Sequence, residues 1–317
     1  MMSFGPERRA ASFISTPQQI KDIPEIVARY GLNDPFYQQY FRWLGQVFSG
    51  NFGWSKYGAM PVWDAFFQYI PITIELNLFA IPLILFLGIR LGVWAGVNKD
   101  RAVDHITRLL AVTGWSLPTF LFGLLLMMIL YGFWGLFPPG ILSDELLMSL
   151  AKEGDRFVQY TGMYSIDGLL NGRLDVTADA LRHLVLPVTT QVTVIIAILV
   201  RVTRSSMIEE MSKEFILTAR AKGADRRTVC LVHAKKNAMI PVITVAGWLV
   251  ALSLQGSVTV EIIFNRAGVG QWVAMSAIQM DMPPVMGVCL FFTLIYVTAN
   301  LIIDILYAVV DPRIRLS

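Results

Sequence analysis

The chain has little of what most soluble enzymes use. Only two of its 317 residues are cysteine, Cys230 and Cys289. They stand far apart, which excludes a disulfide scaffold. Charged residues make up 15% of the sequence, against ~25% in an average soluble protein. Its three histidines, His105, His183 and His233, lie in different segments, so no Cys/His set has metal-ligand spacing. No glycine is followed by lysine, which excludes a P-loop. GxSxG and HExxH are also missing, leaving an enzyme reading with little support. A net charge of +3 is too small to point to nucleic acid. What the chain has is apolar surface: 55% of its residues are hydrophobic. In water such a chain would expose large apolar patches, so the composition predicts an integral membrane protein.

A hydrocarbon core of ~30 Å needs ~20 apolar helical residues. Five runs qualify: Ile70–Val97, Leu109–Phe137, Leu184–Val200, Asn237–Val260 and Met282–Ile303. None shows period-2 alternation, so an all-α polytopic fold is expected rather than a β-barrel. The spans are placed at about 70–97, 109–134, 184–203, 238–260 and 284–307, within a membrane domain over 70–310. Glu75 lies about a turn inside the first run and Asp304 at the end of the last; both read as paired or interfacial groups, or as relays. Gly88, Gly92 and Gly96 put small residues on one face of the first run, which would allow close helix packing.

Basic residues mark cytoplasmic loops. Lys99, Arg101 and Arg108 cluster after the first run. Arg201–Lys236 carries nine basic residues against four acidic, and Arg313 and Arg315 follow the last run. These pieces belong on one side. The segment 138–182 is acidic and reads as an outer loop, as does Glu261–Asp281. The C-terminal tail, 311–317, is then cytoplasmic, and residues 1–69 are external. There, Thr16-Pro17-Gln18-Gln19 reads as a capping box opening a helix that Gly31 stops. Asp34-Pro35 opens a second helix that Gly50 stops. Pro61–Tyr69 reads as an amphipathic interfacial elbow leading into the first span at Pro71.

The most informative segment is the basic hairpin over 205–240. Met207, Met211 and Phe215 share an i, i+4 row, the mark of an amphipathic helix. Thr218-Ala219-Arg220-Ala221-Lys222 narrows to small residues, and Gly223 supplies a stop. Asp225 suits an N-cap for a second helix reaching about Met239, and Pro241 opens the next span. The residues alone leave two readings open: a helix that docks in a partner's groove, or a connector lying on anionic lipid.

Arg204-Ser205-Ser206-Met207, Thr218-Ala219-Arg220-Ala221-Lys222-Gly223 and His233-Ala234-Lys235-Lys236-Asn237-Ala238-Met239-Ile240-Pro241 resemble the coupling-loop signature of ABC importer permeases. The similarity is to the dipeptide/oligopeptide type, first of its two paralogous membrane subunits. Ala28–Pro35, Tyr40–Gly45, Glu261–Phe264 with Gly268–Gly270, and Asp311–Arg315 resemble that type elsewhere, so the likeness runs from about Thr16 to Arg315. Where the general pattern has Glu-Ala-Ala, this chain has Leu217-Thr218-Ala219, and Pro241 falls five residues late. Both departures are similar to the peptide type's own version. Family members open with a further span, which is expected to be missing here through truncation, separate supply or a five-span design.

The resemblance implies a type I ABC importer permease fold and a transport subunit rather than an enzyme. A second paralogous permease would complete the pathway in the lipid bilayer of a prokaryotic inner membrane. Two P-loop ATPase subunits would bind ATP and Mg, with no cofactor in this chain. An external solute-binding protein would deliver di- or oligopeptides, or nickel chelates, glutathione or oligosaccharides. The docking tip is expected to comprise Phe215, Thr218, Ala219, Arg220, Lys222, Gly223 and Ala224. A secondary carrier or a non-transporting scaffold fits the residues less well.

Overall fold

The computed structural model describes residues 23–29, 31, 33–154, 157–254 and 257–310. The Thr16–Gln19 capping box, the 311–317 tail and the side chain of Asp304 lie outside the described residues. The chain divides into two compact units. Of the described residues, one unit holds those up to Ile70 with Gln271–Phe291, and the other holds those from Pro71 to Gly270 and from Phe292 on.

The first unit begins with α1 (Ile23–Arg29) and α2 (Phe36–Phe48), followed by a two-stranded antiparallel pair, β1 (Trp54–Ser55) and β2 (Met60–Pro61). Pro35 precedes the first turn of α2, where a missing N–H costs nothing. Asp281 ties the strands down, accepting from the Lys56 N–H at 2.6 Å, the Tyr57 N–H at 3.2 Å and Ser55 Oγ at 3.2 Å. Ser55 Oγ in turn accepts from the buried Trp272 indole at 3.2 Å. Phe52, Trp63, Phe66 and Phe291 form an aromatic cluster beside it.

Four described helices are long and apolar enough to cross a membrane, or five spans if one bent pair is counted. The long helices are α3 (Val62–Val97), α8 (Leu174–Met211), α11 (Lys235–Leu254) and α14 (Met282–Val310), the last preceded by the short α13 (Val269–Ile278). The expected elbow over 61–69 is, after Pro61 of β2, the first two turns of α3, which passes through Pro71 and Pro82 without ending. Likewise the span placed at 184–203 is the middle of the 38-residue α8. The span placed at 238–260 ends by Leu254, and α12 (Val258–Ile263) is a separate helix.

The run expected to cross as one helix over 109–134 does not. It is α4 (Ala102–Ser116) and α5 (Thr119–Leu126), the latter continued by a π-helical turn to Phe133. The two halves are bent by 102° at the break. Proline disfavours helical backbone in the residue before it, and Leu117, before Pro118, is extended at φ −81°, ψ 125°.

The segment 138–182 is helical in large part, with α6 (Asp144–Glu153), α7 (Tyr164–Leu170) and the first turns of α8. Helix α8 is the hub of the second unit and packs on α4, α5, α7 and α11. Its seam with α3 is set by small residues. A Cβ added at Gly88 would sit 2.7 Å from Leu199, at Gly92 2.5 Å from Thr203, and at Gly96 2.5 Å from Met207. Both rows advance by four residues, one helical ridge against another. Gly92→Leu is therefore expected to destabilise the chain by ~1–3 kcal/mol or more through overpacking. Heating the detergent-solubilised protein and following monodispersity checks this. An unchanged melting point would remove the close seam.

Candidate functional site

The basic hairpin is built from the C-terminal end of α8, then α9 (Glu214–Ala221), α10 (Arg226–Thr228) and a π-helical stretch, Val229–Ala234, that runs into α11. The amphipathic helix expected to run through Phe215 breaks at Ser212. Ser212 Oγ donates to the Glu209 carbonyl at 2.6 Å, a local bond that competes with helix continuation. Lys213 is then extended, at φ −77°, ψ 154°. Its ammonium bonds Glu210 at 2.5 Å.

The turn after α9 is closed by two backbone bonds. The Ala224 N–H donates to Ala219 C=O at 3.1 Å, and the Gly223 N–H donates to Arg220 C=O at 2.9 Å. With Gly223 at φ +82°, this is a Schellman motif, and Ala219 and Ala224 supply its apolar contact. Asp225 follows as N-cap, accepting from the N–H groups of Arg227 at 3.1 Å and Thr228 at 3.4 Å. Hydrogen bonds from the Thr228 side chain and from these amides hold the Asp225 carboxyl below the usual carboxylate range. Arg226 Nη2 reaches back to the Val97 carbonyl at 3.3 Å, satisfying an orphan acceptor at the end of α3. Arg204 binds the fully buried Asp104 in a two-pronged ion pair, joining α8 to α4. The hairpin is thus fixed at several points to the ends of α3 and α8.

The structure divides the seven residues expected at the docking tip. Phe215, Ala219 and Ala224 pack inward on a cluster formed by Val93, Met207, Ile216, Val229, Ala234 and Ala238. Thr218, Arg220, Lys222 and Gly223 are exposed. Leu217 was not among the seven, yet it is 62% exposed. At ~100° per residue, Phe215, Ile216 and Ala219 define one face of α9, and Leu217 and Ala221 fall opposite. A helical wheel anchored on Phe215 would have found them.

A second constellation lies in the same unit at the other end of α3. Glu75 and Arg266, both fully buried, form an ion pair of 2.7 Å. Glu75 Oε1 also accepts from the Ser165 N–H at 2.9 Å and Oγ at 2.7 Å. Arg266 Nη1 donates to the Gly140 carbonyl at 3.2 Å. Thr73 Oγ1 donates to the buried Glu261 at 2.8 Å and accepts from the Val269 N–H at 3.0 Å. Gly268 and Gly270 leave the space that the Glu261 carboxylate fills, so the GxG belongs to the packing of this cluster. Among the described residues no group of three His, Cys, Asp or Glu could hold a metal ion.

Comparison with known proteins places these features in one family. A family model described as "Binding-protein-dependent transport system inner membrane component" matches residues 88–316. The dipeptide transport system permease protein DppB of Escherichia coli (strain K12) is 37% identical over 292 residues, covering 92% of this chain and 84% of that protein. The di/tripeptide transport system permease protein DppB of Pseudomonas aeruginosa is 36% identical over 291 residues, with 92% and 84% covered. The oligopeptide transport system permease protein AppB of Bacillus subtilis is 35% identical over 296 residues, with 93% and 85% covered. With several helices that can cross a bilayer and a family match over most of its length, the chain belongs to the multi-pass inner-membrane permease components of binding-protein-dependent transport systems.

Proposed function

We propose that this chain forms half of a peptide-translocating pathway. A second, paralogous permease supplies the other half, two P-loop ATPase subunits drive it, and an external binding protein delivers the peptide. The substrate class follows the names of its relatives, which are dipeptide, di/tripeptide and oligopeptide permeases. The basic segment 201–236 faces the cytoplasm by the charge rule, and α9 is the docking helix. The observation that carries this reading is the hairpin itself. ATP-driven closure can act on the membrane only through an element that does not deform, and α9 is locked to α3 and α8 while presenting Leu217, Thr218, Arg220 and Lys222 outward. Rocking of the attached helices then exchanges two access states.

The orientation of α9 gives a direct test. In a chain with Cys289 replaced by serine, Leu217→Cys is expected to cross-link to a co-expressed P-loop ATPase through a short bis-maleimide. Val232→Cys, exposed elsewhere on the hairpin, is expected not to. Uptake of a labelled dipeptide should depend on the same complex. Labelling of Leu217→Cys by an impermeant maleimide added to intact spheroplasts would put the hairpin on the wrong side and sink the assignment.

A further inference from the structure

On the flank of α3, beside the base of the hairpin and sharing Val93 and Leu231 with it, lies an open cleft of about 560 Å³ lined by Pro82, Leu85, Phe86, Ile89, Arg90, Val93, Leu231 and Lys235. Its wall is apolar apart from two cations. Arg90 is exposed and lies over the Phe86 ring, 5.6 Å from the centroid. Lys235 is half-buried at the start of α11. Neither has a carboxylate partner among the described residues, and no acidic residue lines the cleft. Arg90 sits seven residues before the end of α3, ~10 Å inside it at 1.5 Å per residue.

A cation at that depth is costly in hydrocarbon and needs water or an anion. A peptide in transit fits this wall poorly, because its amides would meet six apolar side chains and find no partners. A neighbouring apolar helix would bury two uncompensated charges. We propose that the cleft holds an anionic phospholipid, with its phosphate between Arg90 and Lys235 and an acyl chain along Leu85, Phe86, Ile89 and Leu231. Basic pockets between spans on the cytoplasmic side are suited to such head groups.

The test uses the whole transporter, purified with its partner subunits and placed in nanodiscs carrying photoactivatable phosphatidylglycerol or photoactivatable phosphatidylcholine of the same chain length. Labelled peptides are mapped by mass spectrometry. Two cations acting on one phosphate should give phosphatidylglycerol roughly a tenfold preference on the peptides containing residues 82–93 and 231–235. Arg90→Gln with Lys235→Gln should abolish that preference, and Arg90→Lys should keep it. Excess glycerol 3-phosphate should not compete, since the acyl chain contributes to binding. Equal labelling by both lipids would make the cleft ordinary lipid-facing surface and overturn the proposal. Absence of labelling from both would mean protein covers it, and displacement by a tripeptide would make it part of the pathway. Competition by glycerol 3-phosphate would make it a site for soluble anions. The wild-type ratio decides the matter even if the double variant does not fold.

Discussion

Arg266→Ala is expected to lower the stability of the assembled protein by ~3–5 kcal/mol, the cost of leaving a buried carboxylate without its counter-ion. Arg266 and Glu75 are both fully buried, so water cannot replace the lost partner. The damage should spread beyond the pair. Through Gly140, Ser165 and Glu75, the guanidinium and its carboxylate hold three separated stretches of chain to α3. Glu75→Gln is expected to be milder, since an amide still accepts from Ser165, although it sets an NH2 or a neutral oxygen against Arg266. Replacing both partners by methionine should recover much of the loss, because apolar packing of similar volume often equals a buried ion pair. Melting curves of the purified complex, read by gel filtration after heating, rank these variants against the wild type, and the single Arg266→Met and Glu75→Met variants complete the double-mutant cycle. If Arg266→Ala melts with the wild type, the pair contributes nothing and the stretches around Gly140 and Ser165 are held some other way. If the double methionine variant is stable but does not transport, the ion pair has a role in movement beyond that of framework.

That pair also marks where sequence reading stops. Glu75 stood out as a charge inside an apolar run, but its partner lies 191 residues away in a segment with no periodicity to single out an arginine. Long-range pairing of this kind leaves no local trace. The membrane runs did leave one, since length and hydropathy are properties of each segment alone. Their interruptions were harder to see. Pro71, Pro82, Pro187 and Pro241 all lie inside continuous helices, whereas Pro118 separates two helices bent by 102°. Proline supplies a weak point, and tertiary packing decides whether the helix yields there. Near Pro118 the two halves meet different neighbours: Gly114 packs on the Thr193 backbone, and Gly123 on Phe264 and Thr190. The glycine row 88–92–96 was legible as a row, but its complement of Leu199, Thr203 and Met207 was not. The hairpin was the most legible part, because Gly223 and Asp225 act through local geometry. What the expected seven residues there did not separate was the exposed positions from those that face the core, a division that the 100° spacing of α9 carries.

Gly223→Pro should abolish peptide uptake while leaving the chain inserted in the membrane. Two independent losses act at one residue. Proline is confined to φ near −65°, whereas Gly223 sits at +82°, and a misplaced backbone costs ~1–3 kcal/mol. Proline also has no N–H to donate to Arg220, a bond of 2.9 Å in the turn whose loss contributes a further ~1 kcal/mol. The turn would open, Ala224 would leave Ala219, and α9 would lose its fixed pose on Met207 and Val93. Nothing lies within 4 Å of a Cβ built on Gly223, so sterics with neighbours play no part, and φ, together with the lost N–H in the proline variant, should rank the variants. Asparagine, which tolerates left-handed backbone, should transport nearly as the wild type does, and alanine should fall between, at a cost of ~1–2 kcal/mol. Because the strain is confined to a turn outside the spans, membrane insertion and the buried Glu75–Arg266 assembly should survive. On the proposed function, ATP hydrolysis by the ATPase subunits should then continue without uptake, or lose its stimulation by the loaded binding protein. Comparable uptake by the proline, alanine and asparagine variants would mean that the pose of α9 does not transmit the work of ATP, and the docking site would have to be sought elsewhere on the basic face.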